Sequence, residues 1–294
     1  MPQSWNNVKL KSTFFFNLDM IVSTTESELK QAAETLSAHG EPPLLMFDYD
    51  GTLAPFVIDR DQAYPYPEAK DLIEALINRT SARVVIVSGR PVADIRRLLD
   101  LEDAIEIWGC HGWERWTEAG ELQTGELPEE SARFFSQLRS WCNEQGFAER
   151  LEIKPASLAL HWRGLPEKSR QKLEARAREI TEKLDGCSTL DIHPFDGGLE
   201  WRLPGWSKAD AVMTLRGEVS AETPIAYFGD DLTDEDAFRA LPEGGLPILV
   251  RNQYRKTAAR LWLQPPEQLC FFLERVLEGL QQNHASFMAK GEKK

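Results

Sequence analysis

The sequence predicts an α/β protein built on a doubly wound parallel sheet, with an α+β segment inserted into it. Three observations predict this. Short apolar runs alternate with helical patterns from residue 44 to about 110, period-2 patterns replace them at 157–163 and 199–203, and the apolar runs resume at Ile225. Strands buried on both faces read as continuous apolar runs, and strand–helix alternation joins parallel neighbours. Strands with one solvated face alternate instead.

The elements follow in order. Residues 26–39 carry Leu29, Ala32, Ala33 and Leu36 at helical spacing, with Gly40 placed as a stop. Leu44 to Phe47 is a buried strand ending in acids. Pro67 opens a helix with Leu72, Ile73, Leu76 and Ile77 on one face. Val84 to Val87 is the next strand, followed by Ser88, Gly89 and Arg90. Pro91 suits the first turn of a helix bearing Ile95, Leu98 and Leu99. Residues 105–108 predict a third strand.

Residues 115–127 are polar and contain glycine. Pro128 then opens a long helix with Phe134, Phe135, Leu138 and Trp141. In 157–163, Leu158, Leu160 and Trp162 share one face, and Ala159, His161 and Arg163 the other. Residues 166–184 are an amphipathic helix, and 199–203 alternate again. Apolar strands return at 225–228 and 246–250, and a helix with Leu269, Phe272, Leu273, Val276 and Leu277 closes the chain. The core is therefore expected at 21–115 and 201–294, the insertion at 116–200, and an N-terminal extension at 1–20, with Met20 a candidate natural start.

Bulk properties narrow the function. The chain has 294 residues and a formal net charge of −13, which repels nucleic-acid phosphates and argues against such a partner. The four cysteines form no C-x-x-C pair, which fits a reduced compartment. No apolar run approaches the roughly 18 residues a membrane span needs. The expectation is a cytoplasmic protein with a small-molecule ligand and no membrane partner; oligomeric state stays open, with a monomer compatible.

Two apolar strands end in carboxylate clusters, Asp48-Tyr-Asp50-Gly51 and Gly229-Asp230-Asp231. In an open parallel sheet such ends face one crevice. Carboxylates crowded there repel unless a cation neutralises them, and hard oxygen ligands beside a phosphate select Mg²⁺. Asp48 and Asp50 are two apart, which puts them on one side of the strand end and suits a nucleophile paired with a proton carrier. Ser88 follows another strand end and can donate to a phosphate oxygen. Lys208 follows Ser207, a helix cap, where anions are favoured. Each feature has a plainer reading: an ordinary D-x-D-G turn or calcium loop, first-turn helix acids at Asp234 and Asp236, a simple loop at Ser88, a solvated Lys208. Their occurrence in this order at the ends of one sheet favours chemistry.

These four motifs resemble those of the haloacid dehalogenase-like phosphatase superfamily. That resemblance implies a Rossmann-like core with a C2-type cap and an aspartyl-phosphate on Asp48. It implies Asp50 as general acid/base, with Ser88 and Lys208 completing the catalytic set. It also implies Mg²⁺ held by Asp48, the Asp50 backbone carbonyl and Asp230, with Asp231 or Asp234 helping indirectly. Gly229 to Phe238 is similar to the long fourth motif of trehalose-6-phosphate phosphatases, as are Gly109-Cys-His111-Gly112, Glu152-Ile-Lys154, His161-Trp-Arg163 and Leu199-Glu200-Trp-Arg202. Ala209, Trp162 and Leu203 depart from that family's usual Gly, Tyr and Pro. The narrower resemblance implies substrate contacts at Ser88, Gly89 and Arg90, at His111 and Gly112, and on the cap at Glu152, Lys154, His161, Arg163 and Glu200. The bland reading of Lys154, Arg163 and Glu200 is exposed strand residues paired across a sheet. The implied function is Mg²⁺-dependent hydrolysis of trehalose 6-phosphate to trehalose, the last step of trehalose biosynthesis. The alternatives are a phosphatase for sucrose-, mannosylglycerate- or glucosylglycerol-phosphate, or a non-catalytic phospho-sugar sensor.

Overall fold

The structure, a computed structural model, describes residues 25–38, 41–57, 59–101, 105–184, 186–195 and 197–291. The expected extension at 1–20 lies outside them. Thr25 starts α1 (Glu26–Ser37) with a capping box: its hydroxyl accepts from Glu28 N, and the Glu28 carboxylate accepts from Thr25 N. The core then runs β1 (Leu44–Phe47), α2 (Pro67–Arg79), β2 (Arg83–Val87), α3 (Val92–Leu99), β3 (Glu106–Gly109), β4 (Glu114–Trp116) and β5 (Leu122–Thr124). Next come α4 (Glu129–Glu144), β6 (Leu151–Lys154), β7 (Ser157–His161), α5 (Glu167–Lys183), β8 (Asp191–Phe195) and β9 (Gly198–Arg202). The chain closes with α6 (Lys208–Gly217), β10 (Ile225–Gly229), α7 (Asp234–Ala240), β11 (Leu246–Val250), β12 (Leu261–Leu263) and α8 (Glu267–Gly291).

The large sheet has the order β12-β11-β10-β1-β2-β3-β4-β5 and is parallel from β12 through β3. Leu45, Phe47, Ile86 and Phe228 face a core built with α1, α2, α3 and α8, whereas Met46, Val85, Val87 and Tyr227 face α6 and α7. Helices on both faces explain the unbroken apolar runs, and the expected doubly wound α/β fold holds. Strand β1 sits between β2 and β10, so the chain leaves it in opposite directions and opens a crevice at its C-terminal end. The register sets Phe47 against Phe228, and Asp48 N donates to Phe228 O at 2.8 Å. Both acidic strand ends therefore reach the same level.

The second sheet, β6-β7-β9-β8, is antiparallel. One face carries Leu158, Leu160, Leu199 and Trp201 against Phe134 and Leu138 of α4 and Leu173 and Ala177 of α5. Trp201 Nε1 donates to Thr181 Oγ1 at 2.9 Å, which satisfies its one polar atom in that core. The opposite face carries Glu152, Lys154, Glu200 and Arg202, with Ala159 and Ser157 between them. This is the inserted α+β unit.

Several elements differ from the sequence expectation. Strand β4 adds to the large sheet antiparallel to β3, and β5 adds antiparallel to β4, so the strands of 114–124 belong with the core sheet and the insertion's own sheet reaches Arg202. The expected limits of 116 and 200 do not coincide with these sheet limits. Three-residue strands are too short to show a period. Strand β8 is fully exposed and contains Pro194, which has no N–H for a ladder and is tolerated at an edge. Arg163 was expected to continue the strand face of His161, but β7 ends at His161 and Arg163 follows in a turn.

The β3–β4 turn is fixed by charge. Glu106 is buried and accepts from Arg83 Nη2 at 2.6 Å, Arg115 Nε at 2.8 Å and Trp108 Nε1 at 2.9 Å. Both arginines also reach Glu218 at the C-terminal end of α6. Glu106→Ala leaves two partly screened guanidinium groups short of a partner. It is expected to cost about 2–3 kcal/mol, below the full penalty for breaking a buried pair because the arginines remain partly exposed. Equilibrium urea unfolding checks this, and an unchanged midpoint would refute it.

Candidate active site

The crevice gathers side chains from six strand or helix ends. Asp48 is buried directly after β1. Lys208, the first residue of α6, donates from Nζ to Asp48 Oδ1 at 2.6 Å and to Asp234 Oδ1 at 2.7 Å. Ser207 caps that helix, as its place before Lys208 suggested, and its hydroxyl accepts from Asp210 N. Burial works against the ammonium, yet Asp234 and Asp48 outweigh it and hold Lys208 above its ordinary range.

Asp234 is wholly buried and saturated. Oδ1 accepts from Lys208 and from the Tyr227 hydroxyl at 2.8 Å, and Oδ2 accepts from the backbone N–H groups of Asp230 and Asp231 at 3.0 and 2.9 Å. It is the anchor of the second acidic loop and of the amine. Asp230 is the opposite case. Both of its carboxylate oxygens are buried without a hydrogen-bond partner, and Arg251 Nη1 stands 3.9 Å from Oδ2. Gly51 has φ +82°, and a β-carbon there would fall 2.4 Å from Asp230 Oδ2. Glycine is thus required for the first acidic loop to turn past that carboxylate.

One oxygen each from Asp48, Asp230 and Asp234 lie within 4.8 Å of one another. Burial, then Lys208 and Asp234 acting in opposite senses, leaves Asp48 raised to about 7. Burial, reinforced by Asp48 and Asp234, pushes Asp230 up to about 9. Three carboxylates against one ammonium is an uncompensated arrangement in a dry site. A hard divalent cation fits it, because the donors are oxygens and Asp230 has two vacant ones. The Asp50 carboxylate is not in this cluster; it points to Arg90.

Ser88 is buried after β2, and its Oγ accepts from Arg90 N at 3.1 Å. His111 N donates to Ser88 O at 2.9 Å, which ties the β2 and β3 ends together. Cys110, His111 and Gly112 have φ of 49°, 59° and 107°, a left-handed turn. A β-carbon at Gly89 would meet the His111 ring at 2.7 Å, so the glycine admits the ring over the loop. Burial, then Lys208 and Lys154, lowers His111 to about 3, leaving a neutral imidazole between core and insertion.

The charged face of the second sheet supplies the other side. In register, Glu152, Ala159, Glu200 and His193 form one rung, and Lys154, Ser157, Arg202 and Asp191 the next. Lys154 Nζ lies 3.5 Å from Glu200 Oε1, and Ser157 Oγ donates to Glu200 at 2.6 Å. Burial opposes the Glu200 charge, but Lys154 and Ser157 outweigh it and lower its pKa. Glu152 meets His161 Nε2 at 3.1 Å and Arg60 Nη1 of the core at 3.4 Å. Four of the five expected insertion residues therefore share one face; Arg163 sits in the turn beyond it. Arg202 and His193 were not anticipated as site residues. The i, i+2 relation of Arg202 to Glu200 was a usable signal, whereas β8 gave none for His193. Tyr227 lay hidden inside an apolar run.

Comparisons with known proteins give a consistent result. The family model described as Trehalose-phosphatase matches residues 46–266. A trehalose-phosphate phosphatase of Mycobacterium leprae is 30% identical over 292 residues, covering 89% of this chain and 65% of the relative. One from Mycolicibacterium paratuberculosis is 29% identical, covering 87% and 68%. The chain thus spans about two thirds of the length of these relatives. Among solved structures, Aspergillus fumigatus trehalose-6-phosphate phosphatase aligns with a TM-score of 0.63 at 22% identity, covering 87% of this chain and 98% of that one. A haloacid dehalogenase-like hydrolase from B. subtilis aligns with a TM-score of 0.55 at 14% identity, covering 79% and 98%. The structural likenesses establish the fold.

Proposed function

Because this chain belongs to the trehalose-phosphatase family, we propose that it hydrolyses trehalose 6-phosphate to trehalose and phosphate, the last step of trehalose biosynthesis. The observation that supports this best is the facing of two surfaces. The acidic, lysine-bearing floor of the core lies opposite a sheet face carrying Glu152, Lys154, His161 and Glu200.

Asp48 is the nucleophile. Lys208 engages one of its oxygens, and the carboxylate attacks phosphorus as the bond to the sugar oxygen breaks. Asp50 gives the leaving oxygen its proton. It then takes a proton from water, which attacks the aspartyl-phosphate and restores Asp48. Ser88 donates to a phosphate oxygen, and Lys208 offsets its charge. Mg²⁺, held by Asp48, Asp230 and the Asp50 carbonyl, would neutralise the phosphate and the carboxylate cluster when bound. Asp234 holds Lys208 and the Asp230 loop in place.

On the insertion, Lys154, His161 and Arg202 offer donors and Glu200 an acceptor, a set suited to sugar hydroxyls. Covering the site would exclude water and complete this contact set. A cytoplasmic location is part of this proposal; no helix among the described residues is long and apolar enough to cross a membrane.

Phosphate release across a panel of sugar phosphates tests the reading. Trehalose 6-phosphate is expected to give the highest kcat/KM, by about tenfold or more, since a site built to bond specific hydroxyls rejects substrates that leave them unpaired. A higher value for sucrose- or glucosylglycerol-phosphate would reassign the substrate. Tight binding without release would make the protein a sensor.

A further inference from the structure

We propose that Arg90 is a positioning residue for Asp50, acting on proton transfer, and not a ligand of the substrate phosphate. The inference rests on the reading of Asp50 as the proton carrier. The two carboxylates of the D-x-D motif are held by different cations in different ways. Lys208 makes a single contact with Asp48. Arg90 makes a side-on fork with Asp50: Nε donates to Oδ2 and Nη2 to Oδ1, both at 2.6 Å.

The fork is fixed from every side. Arg90 Nη1 donates to Arg60 O at 2.8 Å. Its backbone N–H goes to Ser88 Oγ, and its carbonyl accepts from Cys110 N at 2.8 Å. The guanidinium carbon lies 5.7 Å from the centre of the Tyr49 ring, and Tyr49 is pinned by its hydroxyl to Ala63 O at 2.7 Å. Arg90 is buried, while the Asp50 side chain is 31% exposed. A planar guanidinium held in this way dictates the plane of the carboxylate it grips. Its Nε, Nη1 and Nη2 each already donate to a protein oxygen.

The contrast has a chemical sense. A nucleophile needs an oxygen clear of its cation. A proton carrier needs a defined orientation, and proton transfer at Asp50 requires one fork contact to open. The support for that fork also touches the insertion. Arg60, whose carbonyl receives Arg90, reaches Glu152 with its own guanidinium. The position of the insertion and the hold on Asp50 thus meet in one residue.

Arg90→Lys and Arg90→Gln, tested on two leaving groups, decide the matter. Breaking the P–O bond of trehalose 6-phosphate expels a sugar alkoxide, which needs a proton; p-nitrophenyl phosphate expels a stable phenolate, which does not. With trehalose 6-phosphate, kcat is expected to fall about 10- to 100-fold, part of the roughly 10²–10⁴ that general acid–base catalysis supplies, while KM stays within about twofold. Read in the pre-steady-state formation of the aspartyl-phosphate, which precedes the Asp50-assisted hydrolysis that both substrates share, the fall with p-nitrophenyl phosphate is expected to be at least about fivefold smaller. The double variant Arg90→Gln with Asp50→Asn should cost little more than Asp50→Asn alone, because Arg90 acts only through Asp50. Equal losses on both substrates, with a weaker inhibition by inorganic phosphate, would overturn the proposal and make Arg90 a phosphate ligand. Arg90→Lys keeps a buried cation beside Asp50, so it reports the loss of the fork if Arg90→Gln does not fold. Should wild-type protein prefer another alkyl phosphate, that ester replaces trehalose 6-phosphate in the same comparison. The substrate reading and this inference therefore fail separately.

Discussion

Asp48→Asn is expected to lower phosphate release by roughly 10⁴-fold or more, the scale on which enzymes lose activity without their nucleophile. The amide keeps the size of the carboxylate but cannot form the phosphoryl bond. The fold should survive. Lys208 retains Asp234 as its partner, and the amide removes one of three crowded carboxylates. Burial already pushes Asp48 up to about 7, so a neutral group there relieves repulsion. Thermal unfolding of the variant should match or exceed that of the wild type. Phosphate release near the wild-type rate would remove Asp48 from the mechanism; a collapsed melting temperature would mean that the carboxylate is chiefly structural.

Removal of divalent metal is expected to abolish turnover and to lower stability in a pH-dependent way. Asp230 and Asp48 titrate at about 9 and about 7 when buried without a cation, against an ordinary 3.8. A carboxyl with a raised folded pKa favours the folded state when protonated. The metal-free protein therefore loses stability as pH climbs from about 4 through 7 towards 9. A bound cation reverses this by binding the ionised forms and displacing protons. Mg²⁺ should raise the melting temperature more at pH 8 than at pH 6. A hundredfold excess over its dissociation constant corresponds to about 2.7 kcal/mol. Asp230→Asn should lose most of that response. A Mg²⁺ effect independent of pH and intact in Asp230→Asn would place the ion elsewhere.

The sequence carried much of this site because its chemistry sits at strand ends. Apolar runs locate β1, β2 and β10, and a parallel sheet must bring their C-terminal residues together. Asp48, Ser88 and Asp230 follow from that rule, and Lys208 from the Ser207 cap that opens α6. What joins side chain to side chain does not follow from it. Arg90 reads as one more cation after a strand, and only coordinates show that it grips Asp50. Asp234 reads equally as a helix-start acid or a metal helper, and its four hydrogen bonds make it an anchor. The alternation at 157–163 located the charged face, but not where the strand ends, so Arg163 fell beyond it. The three-residue strands β4, β5 and β12 and the exposed edge strand β8 owe their existence to neighbours rather than to local pattern.

The two short strands β4 and β5 finish the core sheet before the chain departs for the second sheet, and Arg115 on β4 is bolted through Glu106 and Glu218 to the end of α6. Departure and return are thus clamped to the same rigid platform. On the proposed reading the insertion is an exchangeable cassette: replacing it would change which ester is accepted while Lys208 keeps its contacts to Asp48 and Asp234, and the link from Arg60 to Glu152 on the Asp50 side would have to be rebuilt.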